Sequence, residues 1–172
     1  MAKSDAFFIR AQIEVDTSWD QVEIDIGAFV NLGVSKSTLL RIHNVSVQYA
    51  DSTGPEYGIY TIASHAARAW QLTTQSQTAL VYADDKSLIS SGSLQLYGDP
   101  TTTAHPVSMS HDNDINPQNW NLGYLVGVDS LFLGANGVGT VTSGAMKISI
   151  VLQVTLENAT QANSVALALS QQ

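Results

Sequence analysis

The chain has 172 residues, no cysteine and a net charge of −8, with 44% hydrophobic and only 13% charged residues. The missing cysteine excludes disulfides, zinc–thiolate sites and cysteine nucleophiles. The seven basic residues are scattered from Lys3 to Lys147, and no cluster of them could track a phosphate backbone, so no direct nucleic-acid binding is expected.

Soluble domains typically carry about a quarter charged residues. The deficit here points to a surface covered by something other than water, such as neighbouring copies. No run is long enough to span a membrane. No basic, apolar, cleavable segment opens the sequence, so secretion is not expected. The two glycosylation sequons, at Asn44 and Asn158, are then chance matches. A chain of this length forms one domain with a real core, so residues 1–172 are read as a single unit.

Alternation begins at once. Phe7, Ile9, Ala11, Ile13 and Val15 share one face of a strand, with Arg10, Gln12 and Glu14 on the other. After a turn at 16–20, Val22, Ile24 and Ile26 alternate with Gln21, Glu23 and Asp25. Those carboxylates read as a solvated or subunit-facing surface, since no partner base accompanies them. A strand over 38–49 slips phase between Leu40/Ile42 and Val45/Val47/Tyr49, which marks a β-bulge near His43-Asn44. A short strand follows at 57–62. Residues 64–69 are alanine-rich and open to a helical turn. Strands are expected at 70–74, 79–83 and 88–97, with a hairpin turn at 84–86. Residues 98–119 hold Pro100, His105, Pro106, Asp112, Asp114 and Pro117 with little periodicity, and read as a long loop.

Residues 122–133 read as one strand. The glycine-crowded segment after it lacks the lysine of a phosphate-binding loop, and its Gly-x-x-Gly-x-Gly spacing is not the dinucleotide fingerprint. Asn136-Gly137 is a favoured hairpin pair, so a turn is expected there. The final strand, 146–156, places Met146, Ile148, Ile150, Leu152, Val154 and Leu156 on one face, with Val151 breaking the polar opposite face. A tail at 158–172 is either a short helix capped by Asn158 or an extended segment, because Val165, Leu167 and Leu169 have a strand's period. Eight or nine strands with essentially no helix make an all-β protein. Long strands, and one long connection before the final pair, favour an antiparallel eight-stranded single jelly roll over an immunoglobulin β-sandwich.

Catalytic chemistry finds little footing. His43, His65, His105 and His111 lack metal-ligand spacing, and no Gly-x-Ser-x-Gly elbow presents a nucleophile. Asp112-Asn113-Asp114 with Asn116 offers hard oxygen ligands suited to calcium, without the glycine and terminal glutamate of an EF-hand loop; a plain polar loop is the simpler reading. No enzyme activity, catalytic residue, cofactor or obligatory metal is expected.

Three stretches carry a resemblance: Ala2-Lys3-Ser4-Asp5-Ala6-Phe7-Phe8-Ile9-Arg10 at the start, Trp70 to Thr78 leading into Lys86 to Gly92, and Leu122 to Leu133. Their strand texture resembles small single jelly-roll major capsid proteins of tailless icosahedral viruses of archaea and related microbes. The resemblance implies a structural protein made in the host cytoplasm that self-assembles into capsomers of a virion shell. It implies contacts with copies of itself, with a second capsid or vertex protein, and with an internal viral membrane. The basic genome-binding arm of many simple capsid proteins is missing, which fits a shell separated from its genome. The alternative is a soluble lectin-like β-sandwich binding module.

Overall fold

The computed structural model describes residues 5–32, 37–54, 65–97, 108–139, 141 and 144–171, with the side chains of 108–114 and Gln161 left aside. Nine strands are found among the described residues: β1 Phe7–Val15, β2 Asp20–Asp25, β3 Ser37–Asp51, β4 His65–Thr73, β5 Leu88–Tyr97, β6 Ser108–Ile115, β7 Tyr124–Val126, β8 Ser130–Val138 and β9 Met146–Ala159. A helix, α1, runs over Gln161–Ser170.

The strands form two antiparallel sheets, of order β1-β9-β3-β7 and β2-β8-β4-β5-β6. With β6 set aside as an added edge strand, the first strand pairs with the last, the second with the second-last, the third with the third-last, and β4 with β5. That nesting is the winding of an eight-stranded jelly roll. The fold class expected from the sequence is therefore the one observed.

The core lies between the two sheets and follows the alternation. Ile13 and Val15 of β1, Ile148, Ile150 and Leu152 of β9, and Leu131 and Leu133 of β8 are all buried. β9 is central in its sheet, between β1 and β3. The indole N–H of Trp70 in β4 donates to the Tyr49 hydroxyl of β3 at 2.9 Å, tying the sheets together through the core. The β3–β9 register shifts between Ile42 and Asn44, which is the bulge expected at His43-Asn44.

Four sequence expectations need correction. Residues 65–69, in the alanine-rich stretch left open to a helical turn, are extended: β4 begins at His65, and pairing on both sides with β5 and β8 overrides alanine's helical preference. Residues 79–83 are not a strand; they belong to the 74–87 connection, which lies over the outer face of the larger sheet. The Gln71 side chain holds it there, donating to Ala79 O at 3.1 Å and accepting from Val81 N at 2.7 Å. The apolar run 122–133 is two strands, β7 and β8, in different sheets. Asn136-Gly137 is no turn but part of β8. Gly137 is needed because a Cβ there would sit 2.0 Å from Asp16 O and 2.7 Å from Arg68 Cδ. The positive φ that a turn demands appears later, at Gly139 (71°) and Gly144 (80°).

The long aperiodic segment is also more ordered than its composition suggested. Ser108–Ile115 pairs with β5, from Tyr97↔Ser108 to Ser91↔Ile115. The rest of the 98–107 stretch, and the short strand expected at 57–62, lie outside the described residues. The tail is helical, with Thr160 rather than Asn158 at its cap, the Thr160 hydroxyl accepting from Asn163 N at 3.4 Å.

Candidate functional site

The sandwich has two ends. At one, β1 leads into the connection 16–19, and the start of β4 lies beside Gly139 and Gly144. Arg68 points into this end and is fully buried. Its guanidinium donates to Ala67 O at 2.9 Å, Val138 O at 3.0 Å and Gly139 O at 3.1 Å, and stands 3.5 Å from Asp16 Oδ1. Nε has no hydrogen-bond partner. Burial pulls this guanidinium below its ordinary value, and Asp16 pulls it partly back. The arrangement fastens two connections to the sheet. It offers no open face to a substrate.

At the opposite end sits α1. Ser164 Oγ donates to Ser37 Oγ at 2.9 Å, and Gln171 plugs into the end of the sandwich. The Gln171 side chain accepts from Gly127 N at 3.0 Å and donates to Leu125 O at 2.6 Å, while its carbonyl accepts from Thr74 Oγ1 at 2.8 Å. Leu167 lies so close to Gly127 that a Cβ there would be 3.2 Å from Leu167 Cδ2. The side of α1 facing the sandwich thus carries Ser164, Leu167 and Ala168, with Gln171 just past the helix end. The side facing outward is apolar: Ala162, Val165, Ala166 and Leu169 are all exposed, Leu169 by 65%. This i, i+3, i+4, i+7 stripe was present in the sequence, but Val165, Leu167 and Leu169 also fit a strand's period, and that ambiguity hid it.

The outer face of the larger sheet carries a shallow groove lined by Ala67, Ala69, Leu80, Asn136, Gly137 and Val138. No charged side chain lines it. Val138 is 60% exposed and Leu80 40%. The 74–87 connection also presents Tyr82, which is 86% exposed.

The outer face of the smaller sheet carries polar pairs between strands beside an exposed aromatic residue, Phe8. Arg41 makes a two-pronged contact with Glu157, Nε to Oε1 at 2.6 Å and Nη2 to Oε2 at 2.8 Å. His43 Nε2 lies 2.8 Å from Thr155 Oγ1, and Gln12 donates to Ser149 at 2.8 Å. These pairs span neighbouring strands and act as fasteners.

The residues singled out in the sequence are dispersed. His43 is on β3 and His65 opens β4. His111, Asp112 and Asp114 belong to β6. The backbone at Asp112 is paired with Ser93 in a strand ladder, where a loop is expected from the sequence. His105 lies outside the described residues. The carboxylates of β2 meet local donors: Asp25 accepts from Gly27 N at 2.9 Å and Glu23 from Ser130 Oγ at 2.5 Å. Among the described residues no three His, Asp or Glu side chains gather as a metal site would require.

No family model and no curated protein matches the chain. Among solved structures it is similar to VP1 of Trichodysplasia spinulosa-associated polyomavirus in complex with GM1 oligosaccharide (TM-score 0.41, 8% identity, 89% of this chain and 93% of that one). It is similar to an unassembled Washington University polyomavirus VP1 pentamer (TM-score 0.44, 9% identity, 87% and 95%). A third similarity is to desmodium yellow mottle tymovirus (TM-score 0.31, 12% identity, 89% and 82%). The jelly-roll assignment rests on the strand order itself.

Proposed function

We propose that the chain is a viral capsid protein, one jelly-roll unit among many identical copies in an icosahedral shell. The observation that carries the reading is the combination of this winding with charge-free apolar surface at two separate places, the outward stripe of α1 and the groove on the larger sheet. A jelly roll alone serves lectins and cupins as well as capsids. Apolar patches left at two sites of a sparsely charged molecule are what copy-to-copy contacts require. The strand texture resembling small microbial capsid proteins agrees with this. The finer expectations go with it: a place in the virion after synthesis in the host cytoplasm, an archaeal or related microbial host, an internal membrane, a second capsid or vertex protein, no contact with the genome, and no enzymatic activity.

The test is electron microscopy of the purified full chain, with its mass measured across concentration and salt. Rings or shells are the expected result. A strict monomer at every condition that binds a sugar, with Tyr82 as an exposed aromatic platform, would establish the lectin-like module instead.

A further inference from the structure

We infer that copies of this chain join head to tail, the outward stripe of α1 in one copy seating in the Ala67/Ala69/Val138 groove of the next. The inference deepens the capsid reading and rests on it for its biological setting. The stripe is Ala162, Val165, Ala166 and Leu169, all exposed. The groove is floored by small side chains, Ala67 and Ala69, walled by Leu80 and Val138, and has Asn136 as its one polar side chain. A ridge of small and aliphatic residues fits a floor of alanines, because neither side has bulk that holds the backbones apart.

The two surfaces cannot meet within one molecule. α1 is pinned beside Thr74, Ser37 and Gly127, whereas the groove lies at the other end of β4. Five to seven strand residues separate them, about 17–23 Å at roughly 3.3 Å per residue. Knob and socket at different places on one chain make a heterologous contact, which closes into rings when the rotation allows.

Charge selects the partner. The molecule carries −8, so two copies repel over most of their surface. The α1 sequence, QANSVALALS, holds no charged residue, and neither does the groove lining. These are the places where copies approach at least electrostatic cost. A lipid surface is a poorer occupant, since interfacial helices rely on Lys, Arg and aromatic residues that α1 lacks.

The absence of cysteine makes the test clean. Protein carrying Leu169→Cys is mixed with protein carrying Ala67→Cys, Ala69→Cys or Val138→Cys, one at a time, and oxidised mildly. At least one mixture should give a disulfide-linked hetero-pair, while Leu169→Cys alone should not dimerise. Dominant Leu169→Cys homodimers would mean that the helices pair with each other, and would overturn the proposal; so would no mixed disulfide in any combination. In parallel, Leu169→Glu should weaken association at least about tenfold, the scale of losing one buried aliphatic contact, with an unchanged melting temperature because the side chain is exposed. Tyr82→Glu should leave association unchanged. Shells that form without any mixed disulfide would sink this contact and leave the capsid reading standing. A mixed disulfide without shells would do the reverse.

Discussion

Arg68 shows how a jelly roll accommodates a charge inside. A guanidinium facing a sandwich interior is costly unless its donors are met. Here four carbonyls, of Ala67, Val138, Gly139 and Gly144, meet the two terminal nitrogens with Asp16 at 3.5 Å and only Nε is left without a partner, so the charge serves to hold connections in place. Ile150 has no such arrangement: it is 1% exposed on the central strand. Ile150→Asp should prevent folding, because an unpaired carboxylate would be buried. Its neighbour Val151 faces the other side and is only half-buried, so Val151→Asp should fold with a lowered melting temperature. Circular dichroism of the two variants decides it; the reverse order would mean that the register is wrong. Tyr124 offers a pH test. Burial raises its hydroxyl above the usual value near 10, with the Gln171 hydrogen bond opposing. Above about pH 10 the unfolded chain therefore releases a proton that the folded chain keeps, and stability falls as pH rises through the window up to the folded value. Urea titrations from pH 9 upward should show that decline in the native chain and a shallower one in Tyr124→Phe.

At the scale of elements, the C-terminal helix is a seal. Its polar pins, Ser164 and Gln171, are buried while its aliphatic stripe is outside. Gln171→Ala should remove the bonds to Gly127 N and Leu125 O and lower stability by about 1–3 kcal/mol, measured by chemical denaturation. A truncation after Glu157 therefore tests sealing as well as association, and the exposed Leu169 is the better probe of contacts between copies. β6 makes a second prediction. Because its backbone is a paired edge strand, dialysis against a chelator should leave the melting temperature unchanged. A large drop would assign a structural cation to Asp112 and Asp114. The strands most legible in the sequence were β1, β2 and β9, where one face is core and the other is not. The split of 122–133 into β7 and β8 was not legible, since a run apolar throughout gives no sign of where it crosses between sheets.

At the scale of the whole molecule, repulsion and apolar contact compete. A net charge of −8 opposes association at long range, and salt screens it within about 10 Å at 0.1 M. Association should therefore strengthen as salt rises from low to physiological concentration. Sedimentation or light scattering across a salt series measures this, and weakening with salt would mean that charge pairs, not apolar patches, join the copies.

What the sequence by itself determined is the part governed by a local period. Alternation along β1, β2 and β9 placed Ile13, Ile24 and Ile150 in a core, and the phase slip at His43-Asn44 marked the bulge, because a strand side chain's face depends only on its position along the strand. The tertiary structure decided what depends on residues far apart in the chain. Alanines at 66–69 became strand only because β5 and β8 pair on either side. Gly137 proved to be a point of close approach to Asp16 and Arg68 and not a turn. The side of α1 that faces outward was set by two polar pins reaching Ser37 and Gly127, contacts more than forty residues distant that no local pattern encodes.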